Sequence, residues 1–328
     1  MNLRFVPIVT ALLLSPVATP SVAGDYDASP AAASVIEAAV ARGVDRDWAE
    51  SVLKAAQKQQ SILDAISRPA EKTKAWHDYR KIFVTPERAA AGVAFAKTHR
   101  ETLRDVANRT GVPEEIIVAI IGVETYYGRI AGSYRVIDAL STLAFDYPKR
   151  SPFFTGELEH FLVLAYESGK DPLALKGSYA GAMGYGQFMP SSYNHYAVDH
   201  DGDGIADIWA NPSDAIYSVA NYFQEHGWRA GQPVVVTAVG ESADPVLFDG
   251  KLKPKRTVGE LATLGFAPQQ PIDIDAKATA MQLEGEAGME YWLGLHNFYV
   301  ITRYNHSAMY ALSVWQLSQL IAEGVAGV

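Results

Sequence analysis

Apolar residues recur at steps of three and four over most of the first 228 positions, the spacing that lines one face of an α-helix. Trp48, Val52, Leu53 and Ala56 follow it behind Asp45, a residue type that caps helix starts, and predict a helix over 45–66. Another is expected over 74–83. In Thr85-Pro86-Glu87 the threonine suits the cap and the proline the first helical position, so a helix should run from there to about 108 and end at Gly111. Val112-Pro113-Glu114-Glu115 opens the next one by the same rule, and every residue from Ile116 to Val123 is apolar or glycine. A helix apolar on all faces is buried on all faces. Further helical patterns cover 136–145, 152–168 and 213–226, and residues 24–33 read as a flexible lead-in.

After Trp228 the pattern changes. Val234-Val235-Val236-Thr237-Ala238-Val239 is β-branched enough to predict a strand, and 277–283 and 291–301 are read as further strands between turns. Residues 307–321 return to helix, with Tyr310, Val314, Leu317 and Ile321 on one face. The expected fold class is therefore mainly α (α+β). A helical domain covers 24–109 and a helical core 110–229. A small inserted β-containing subdomain follows over 230–301, and a C-terminal helix over 302–328 packs back on the helical domain.

Composition narrows the function. The chain has 328 residues and a formal net charge of −9, with no block of clustered cations, which argues against a nucleic-acid partner. Arg4, the apolar residues 5–17 and Ser21-Val22-Ala23 read as a signal peptide over 1–23, so export to the periplasm is expected. There is no cysteine, which excludes disulfides, thiolate nucleophiles, cysteine-ligated zinc and a lipid-carrying cysteine as membrane anchor. No organic cofactor motif is present, and nothing demands a dimer.

Three stretches carry candidate chemistry. Glu124 is the first ionisable group after Glu115 and closes the buried apolar helix just before Thr125-Tyr126-Tyr127-Gly128. A carboxyl there loses hydration, which raises its pKa and suits a general acid near neutral pH. The bland alternative is an ion pair with Arg129 or Arg135. The glycine-rich run from Gly177 to Ser192 lacks the ending of a phosphate loop. It offers neutral hydrogen-bonding groups on Ser178 and Gln187 and flat surfaces on Tyr185 and Phe188, which suit a sugar. The bland alternative is a plain glycine-rich turn capped by Ser191. In 199–207, Asp199, Asp201 and Asp203 stand at positions one, three and five of an EF-hand-like loop, with Gly204 at six and the Ile205 carbonyl at seven. Ala210 stands where the bidentate glutamate should be, so Asp214 is the candidate for the missing calcium ligand. Asp138, Asp146, Glu157 and Glu159 are read as surface or ion-paired groups, and His160, His195 and His226 show no metal-like pairing. Asn305 or Ser307 is expected to cap the last helix.

The chain resembles the lytic murein transglycosylase B family. The resemblance rests on Glu124-Thr125-Tyr126-Tyr127-Gly128, on Ala180-Gly181-Ala182-Met183-Gly184 leading into Gln187-Phe188-Met189-Pro190-Ser191-Ser192, and on the Asp-rich loop. Val219-Ala220-Asn221-Tyr222-Phe223 and Arg303-Tyr304-Asn305-His306-Ser307 follow in the family's order. It implies a lysozyme-like core with a deep glycan groove and Glu124 as the catalytic acid and base. It also implies that Tyr79, Ser178, Gln187, Phe188, Tyr222, Tyr304 and Asn305 line the groove, and that Asp199, Asp201, Asp203, the Ile205 carbonyl and Asp214 hold a structural calcium.

On that footing the expected substrate is peptidoglycan, cut between N-acetylmuramic acid and N-acetylglucosamine without water to leave 1,6-anhydro ends. The expected protein is a soluble monomer, able to meet cell-wall synthesis or hydrolysis proteins. A hydrolytic muramidase using the same glutamate is one alternative; a peptidoglycan-binding scaffold that no longer cuts is another.

Overall fold

A computed structural model describes residues 25–26, 29–67 and 74–327. The expected signal segment 1–23 lies outside the described residues. The chain opens with α1 (Pro30–Val40), α2 (Arg46–Lys54), α3 (Gln60–Ser67), α4 (Trp76–Phe83), α5 (Pro86–Thr98), α6 (Arg100–Thr110) and α7 (Glu114–Thr125). Then come β1 (Tyr134–Arg135), α8 (Val136–Asp146), α9 (Ser151–Ser168), β2 (Lys176–Gly177), α10 (Pro190–Tyr196) and α11 (Pro212–Glu225). The last third holds β3 (Val235–Val239), β4 (Arg256–Thr257), α12 (Val258–Thr263), β5 (Ala267–Pro268), β6 (Lys277–Glu284) and β7 (Met289–Gly294), and ends with α13 (His296–Tyr304) and α14 (Ala308–Ala326).

The mainly helical α+β reading holds, with departures in the helices expected over 45–66 and from Thr85, in the strand expected over 291–301 and in the lead-in. The helix expected over 45–66 is two. Asp45 does cap α2, its carboxylate accepting the Trp48 N–H. The chain then leaves helical geometry because α8 captures its backbone. Asp138 accepts the Gln57 N–H at 2.9 Å, Thr142 accepts the Gln59 N–H at 3.0 Å, and Arg135 donates to the Ala55 carbonyl at 3.1 Å. The helix expected from Thr85 is likewise broken at His99 (φ −110°, ψ 25°) before Gly111 ends α6 in the left-handed region. The strand expected over 291–301 stops at Gly294, and α13 takes the rest. A short apolar run such as Phe298-Tyr299-Val300-Ile301 does not by itself distinguish a buried strand from a buried helix. The lead-in is also shorter than expected, since α1 already begins at Pro30.

The helices share two cores. One gathers α4, α5, α6, α7, α11, α13 and α14, with Ile117, Ile120, Ile121, Phe223, Phe298 and Leu317 at its centre. The other joins α1, α2 and α3 to α8 and α9 through residues such as Leu53, Ile62, Leu140 and Phe161. Residues 29–67 and 76–110 therefore lie on different cores. The C-terminal helix α14 packs along α4, α5 and α7. A third, smaller core around Phe266 and Leu293 belongs to a five-stranded sheet of order β4-β6-β7-β3-β5, antiparallel throughout. The two-stranded β1–β2 pair holds the start of the glycine-rich loop beside the segment after α7. Among the described residues no helix is long and apolar enough to cross a membrane.

Candidate active site

Every residue of α7 from Ile116 to Val123 is buried, as the all-apolar pattern requires. The helix delivers Glu124 at its penultimate position, where the Tyr310 hydroxyl on α14 donates to Glu124 Oε1 at 2.5 Å. Burial pushes the carboxyl up to about 7, against the Tyr310 hydrogen bond, which favours the charged form. No other carboxylate and no cation contributes to that shift. Neither expected ion-pair partner reaches it. Arg135 makes a two-pronged pair with Asp138, both contacts at 2.7 Å, and the Arg129 guanidinium stands 5.2 Å from the Tyr126 ring.

The chain leaves α7 in an unusual way. Tyr126 (φ 51°) and Tyr127 (φ 62°) both adopt the left-handed region, followed by Gly128 (φ 85°). Such geometry costs a non-glycine residue on the order of 1–2 kcal/mol, and clusters at functional sites. Gln187, in the glycine-rich loop, has a positive φ too (50°). The two strained segments are tied together. Thr125 donates its hydroxyl to the Tyr185 carbonyl at 2.9 Å and accepts the Gly128 N–H at 2.9 Å. A Cβ on Gly132 would stand 2.0 Å from the Gly177 carbonyl oxygen, so only glycine lets the backbones approach this closely.

The residues singled out from sequence fall into three settings. Tyr79, Tyr304 and Tyr310 gather with Glu124, whose charge holds the Tyr304 and Tyr310 phenols further above their ordinary pKa after burial. Tyr79, buried on α4, acts on Tyr310 in the same way. Ser178 and Gln187 brace the glycine-rich loop. The Ser178 hydroxyl accepts the Ala180 and Ala182 N–H groups, and the Gln187 amide donates to the Ala131 and Gly184 carbonyls. Phe188 and Tyr222 are buried behind the loop, their rings 6.0 Å and 4.7 Å from that of Tyr304. The Tyr304 hydroxyl donates to the Gly186 carbonyl at 2.5 Å, and Asn305 beside it is exposed. Tyr310 was missed as a site residue. It fits the apolar face of the last helix, and its only sequence signal is a phenol among Val, Leu and Ile.

Glu157 is neither a surface group nor ion-paired, contrary to expectation. It is buried on α9 and accepts the Ser191 N–H at 2.9 Å and the Ser191 hydroxyl at 2.7 Å. Ser191 thus serves Glu157 and does not cap α10, which starts at Pro190 behind Met189. Asp138 and Asp146 are ion-paired as expected, to Arg135 and Lys58. Ser307 caps α14 by accepting the Tyr310 N–H.

In the Asp-rich loop the carboxylates of Asp199, Asp201 and Asp203 each offer an oxygen, all within 4.8 Å of one another. The loop organises them from its own backbone. Asp199 accepts the Gly202 and Gly204 N–H groups, which hold its carboxyl below the usual carboxylate range, and Asp203 accepts that of Ile205. Asp214 stands outside that trio. Buried at the start of α11, it accepts the His200 N–H at 3.0 Å and the Asp207 N–H at 2.8 Å, so it anchors both ends of the loop.

A half-buried, desolvated acid at a strained helix end, facing phenols and a glycine-rich loop in a helical core, is the framework of a lysozyme-like glycan-cleaving enzyme. The transglycosylase SLT domain family matches residues 27–319, and the chain belongs to it. It is a lytic transglycosylase. The membrane-bound lytic murein transglycosylase B of Escherichia coli (strain K12) is 47% identical over 309 residues, 91% of this chain and 84% of that one. The soluble lytic transglycosylase SltB1 of Pseudomonas aeruginosa superposes with a TM-score of 0.86 at 50% identity, over 91% of this chain and 100% of that one. Escherichia coli Slt35 superposes with a TM-score of 0.85 at 46% identity, over 93% and 96% of the two chains, and has been solved with bulgecin A and with calcium.

Proposed function

We propose that this protein cuts the β-1,4 bond between N-acetylmuramic acid and N-acetylglucosamine in peptidoglycan, leaving 1,6-anhydromuramic acid ends, with Glu124 as acid and then base. The observation that carries the reading is the solitude of Glu124. A carboxyl poised at about 7 can both give and take a proton near neutral pH. Among the described residues no second carboxylate shifts its pKa, which supports a scheme without the usual glycosidase pair.

Tyr310 engages Oε1, and the other oxygen, Oε2, is assigned to the scissile bond. The protonated carboxyl gives its proton to the glycosidic oxygen as the C1–O bond breaks. The cation that develops at C1 is stabilised by the sugar's own acetamido oxygen. Glu124, now a carboxylate held by Tyr310, takes the proton of the C6 hydroxyl, whose oxygen bonds to C1 and closes the anhydro ring. The proton count returns to its start, and no water is consumed. Tyr79, Ser178, Gln187, Phe188, Tyr222, Tyr304 and Asn305 are assigned to the groove. Tyr304 and Asn305 form its near wall, and the others set the shape of the loop or helix behind it.

Three closely spaced carboxylates with only hard oxygen donors suit calcium, and the calcium complex of Slt35 supports the same ion here. Asp199, Asp201, Asp203 and the Ile205 carbonyl would hold it, with Asp214 fixing the loop ends and offering a further oxygen. Its role is structural, since the loop closes directly onto α11. On the same reading the protein works in the periplasm as a soluble monomer; the basic n-region of residues 1–23 and the proposed peptidoglycan substrate support export.

The test is mass spectrometry of muropeptides released from purified peptidoglycan by the native protein and by Glu124→Gln. Products one water lighter than hydrolysis products, lost with the variant, are expected. Reducing-end products would make it a muramidase instead.

A further inference from the structure

Arg88, on the first turns of α5, is a cation that the chemistry above does not use. Among the described residues its half-buried guanidinium meets no carboxylate, and burial holds it below its ordinary pKa. Its Nε is buried without a hydrogen-bond partner. Leaving a buried cation without a counter-ion is costly, so its surroundings matter. Arg88 Nη1 donates to the Gly122 carbonyl at 2.6 Å and lies 3.5 Å from the Val123 carbonyl oxygen. These are carbonyls of the last turn of α7, the negative end of the helix that carries Glu124. The Tyr127 hydroxyl donates back to the Arg88 carbonyl at 2.9 Å. The Tyr126 ring receives the Arg88 guanidinium at 4.8 Å and that of Arg129 at 5.2 Å.

We propose that Arg88 is a positioning residue for Glu124: it clamps the left-handed end of α7 and so fixes where the catalytic carboxyl points. The inference rests on the assignment of Glu124 as the acid. Tyr126 and Tyr127 hold a backbone geometry their side chains disfavour, and such strain persists only where neighbours over-determine it. Arg88 supplies three such constraints at once: a charge-assisted hydrogen bond to the helix end, a cation–π contact with Tyr126, and an acceptor for Tyr127. Glu124 touches none of them directly. The groups that face it are the Tyr310 phenol of α14 and the Tyr304 phenol of α13, with Tyr79 of α4 behind Tyr310. A helix end that drifted would move Glu124 away from Tyr310 and let water in.

The experiment measures kcat, KM and their pH profiles on a soluble glycan oligomer for the native protein, Arg88→Gln, Arg88→Lys and Tyr127→Phe. Misplacing a reacting group by about an ångström costs up to about 100-fold in rate, so kcat should fall roughly 10- to 100-fold in Arg88→Gln with KM within about twofold. Burial is the larger influence on Glu124 and the Tyr310 hydrogen bond the smaller, so rehydration lowers the pKa by more than loss of the Tyr310 bond raises it, and the basic limb of the profile should move to lower pH. Arg88→Lys, which keeps the charge without the fork, should recover part of both effects, and Tyr127→Phe should shift the limb in the same direction. Loss of thermal stability with an unmoved limb and native kcat would reduce Arg88 to a structural residue and overturn the proposal. If Arg88→Gln fails to fold, the limb in Arg88→Lys and Tyr127→Phe decides the matter in the same way. Activity surviving in Glu124→Gln overturns the acid assignment itself and the proposal with it, a result separable because that variant leaves Arg88 intact.

Discussion

Replacing Glu124 by Gln should make the protein more stable while abolishing its activity, and the gain should depend on pH. The folded pKa of about 7 lies above the ordinary 4.5 because burial disfavours the charge. A group raised in this way contributes its full stability below pH 4.5 and loses it as pH rises through 7. At about 1.4 kcal/mol per pH unit, ionising the buried carboxyl costs roughly 3 kcal/mol by pH 8. Gln carries no charge and keeps an oxygen to accept the Tyr310 hydroxyl. The two proteins should therefore melt together near pH 4.5, and by pH 8 the variant should melt roughly 5 °C higher for a chain of this size. Calorimetry across pH 4.5–8.5 checks it. Parallel stability curves for the two proteins would show that Glu124 is not desolvated in solution, and would remove the physical basis of its role as acid.

Three further outcomes are expected. Tyr310→Phe removes a hydrogen bond that favours the carboxylate, so the basic limb of the rate profile should move up by roughly one pH unit, with loss of activity at pH 6 too if the carboxyl also loses its aim. Chelation with EDTA should lower the melting temperature of the native protein, and Asp201→Asn should abolish most of that response; an unchanged melt on chelation would refute the calcium site. Gly132→Ala should cost more than 2 kcal/mol in denaturant unfolding, or weaken glycan binding at least as strongly, because its Cβ would collide with the Gly177 carbonyl at 2.0 Å and force β1 from β2.

The sequence by itself carried the helix starts at Asp45, Thr85 and Ser307, because a cap is a local hydrogen bond between neighbours in the chain. It carried the burial of α7, because an apolar residue at every position leaves no face for water, and with that burial it carried the raised pKa of Glu124. The clustering of Asp199, Asp201 and Asp203 was legible for the same reason: the three lie within one turn-rich loop. What only the tertiary structure decided depends on partners far along the chain. The break between α2 and α3 is made by Asp138 and Thr142, some eighty residues away, whose side chains outbid the helix for its own N–H groups. Phe298 to Ile301 form a helix that packs on α14 and on the end of β7, a choice that apolar content alone leaves open. The absence of an ion pair at Glu124 was settled by Asp138 taking Arg135 and by Tyr126 taking Arg129. Tyr310 is the sharpest case. Its period marks it as core, and it is core, but its hydroxyl meets Glu124 across 186 positions of sequence, a distance that no local pattern encodes.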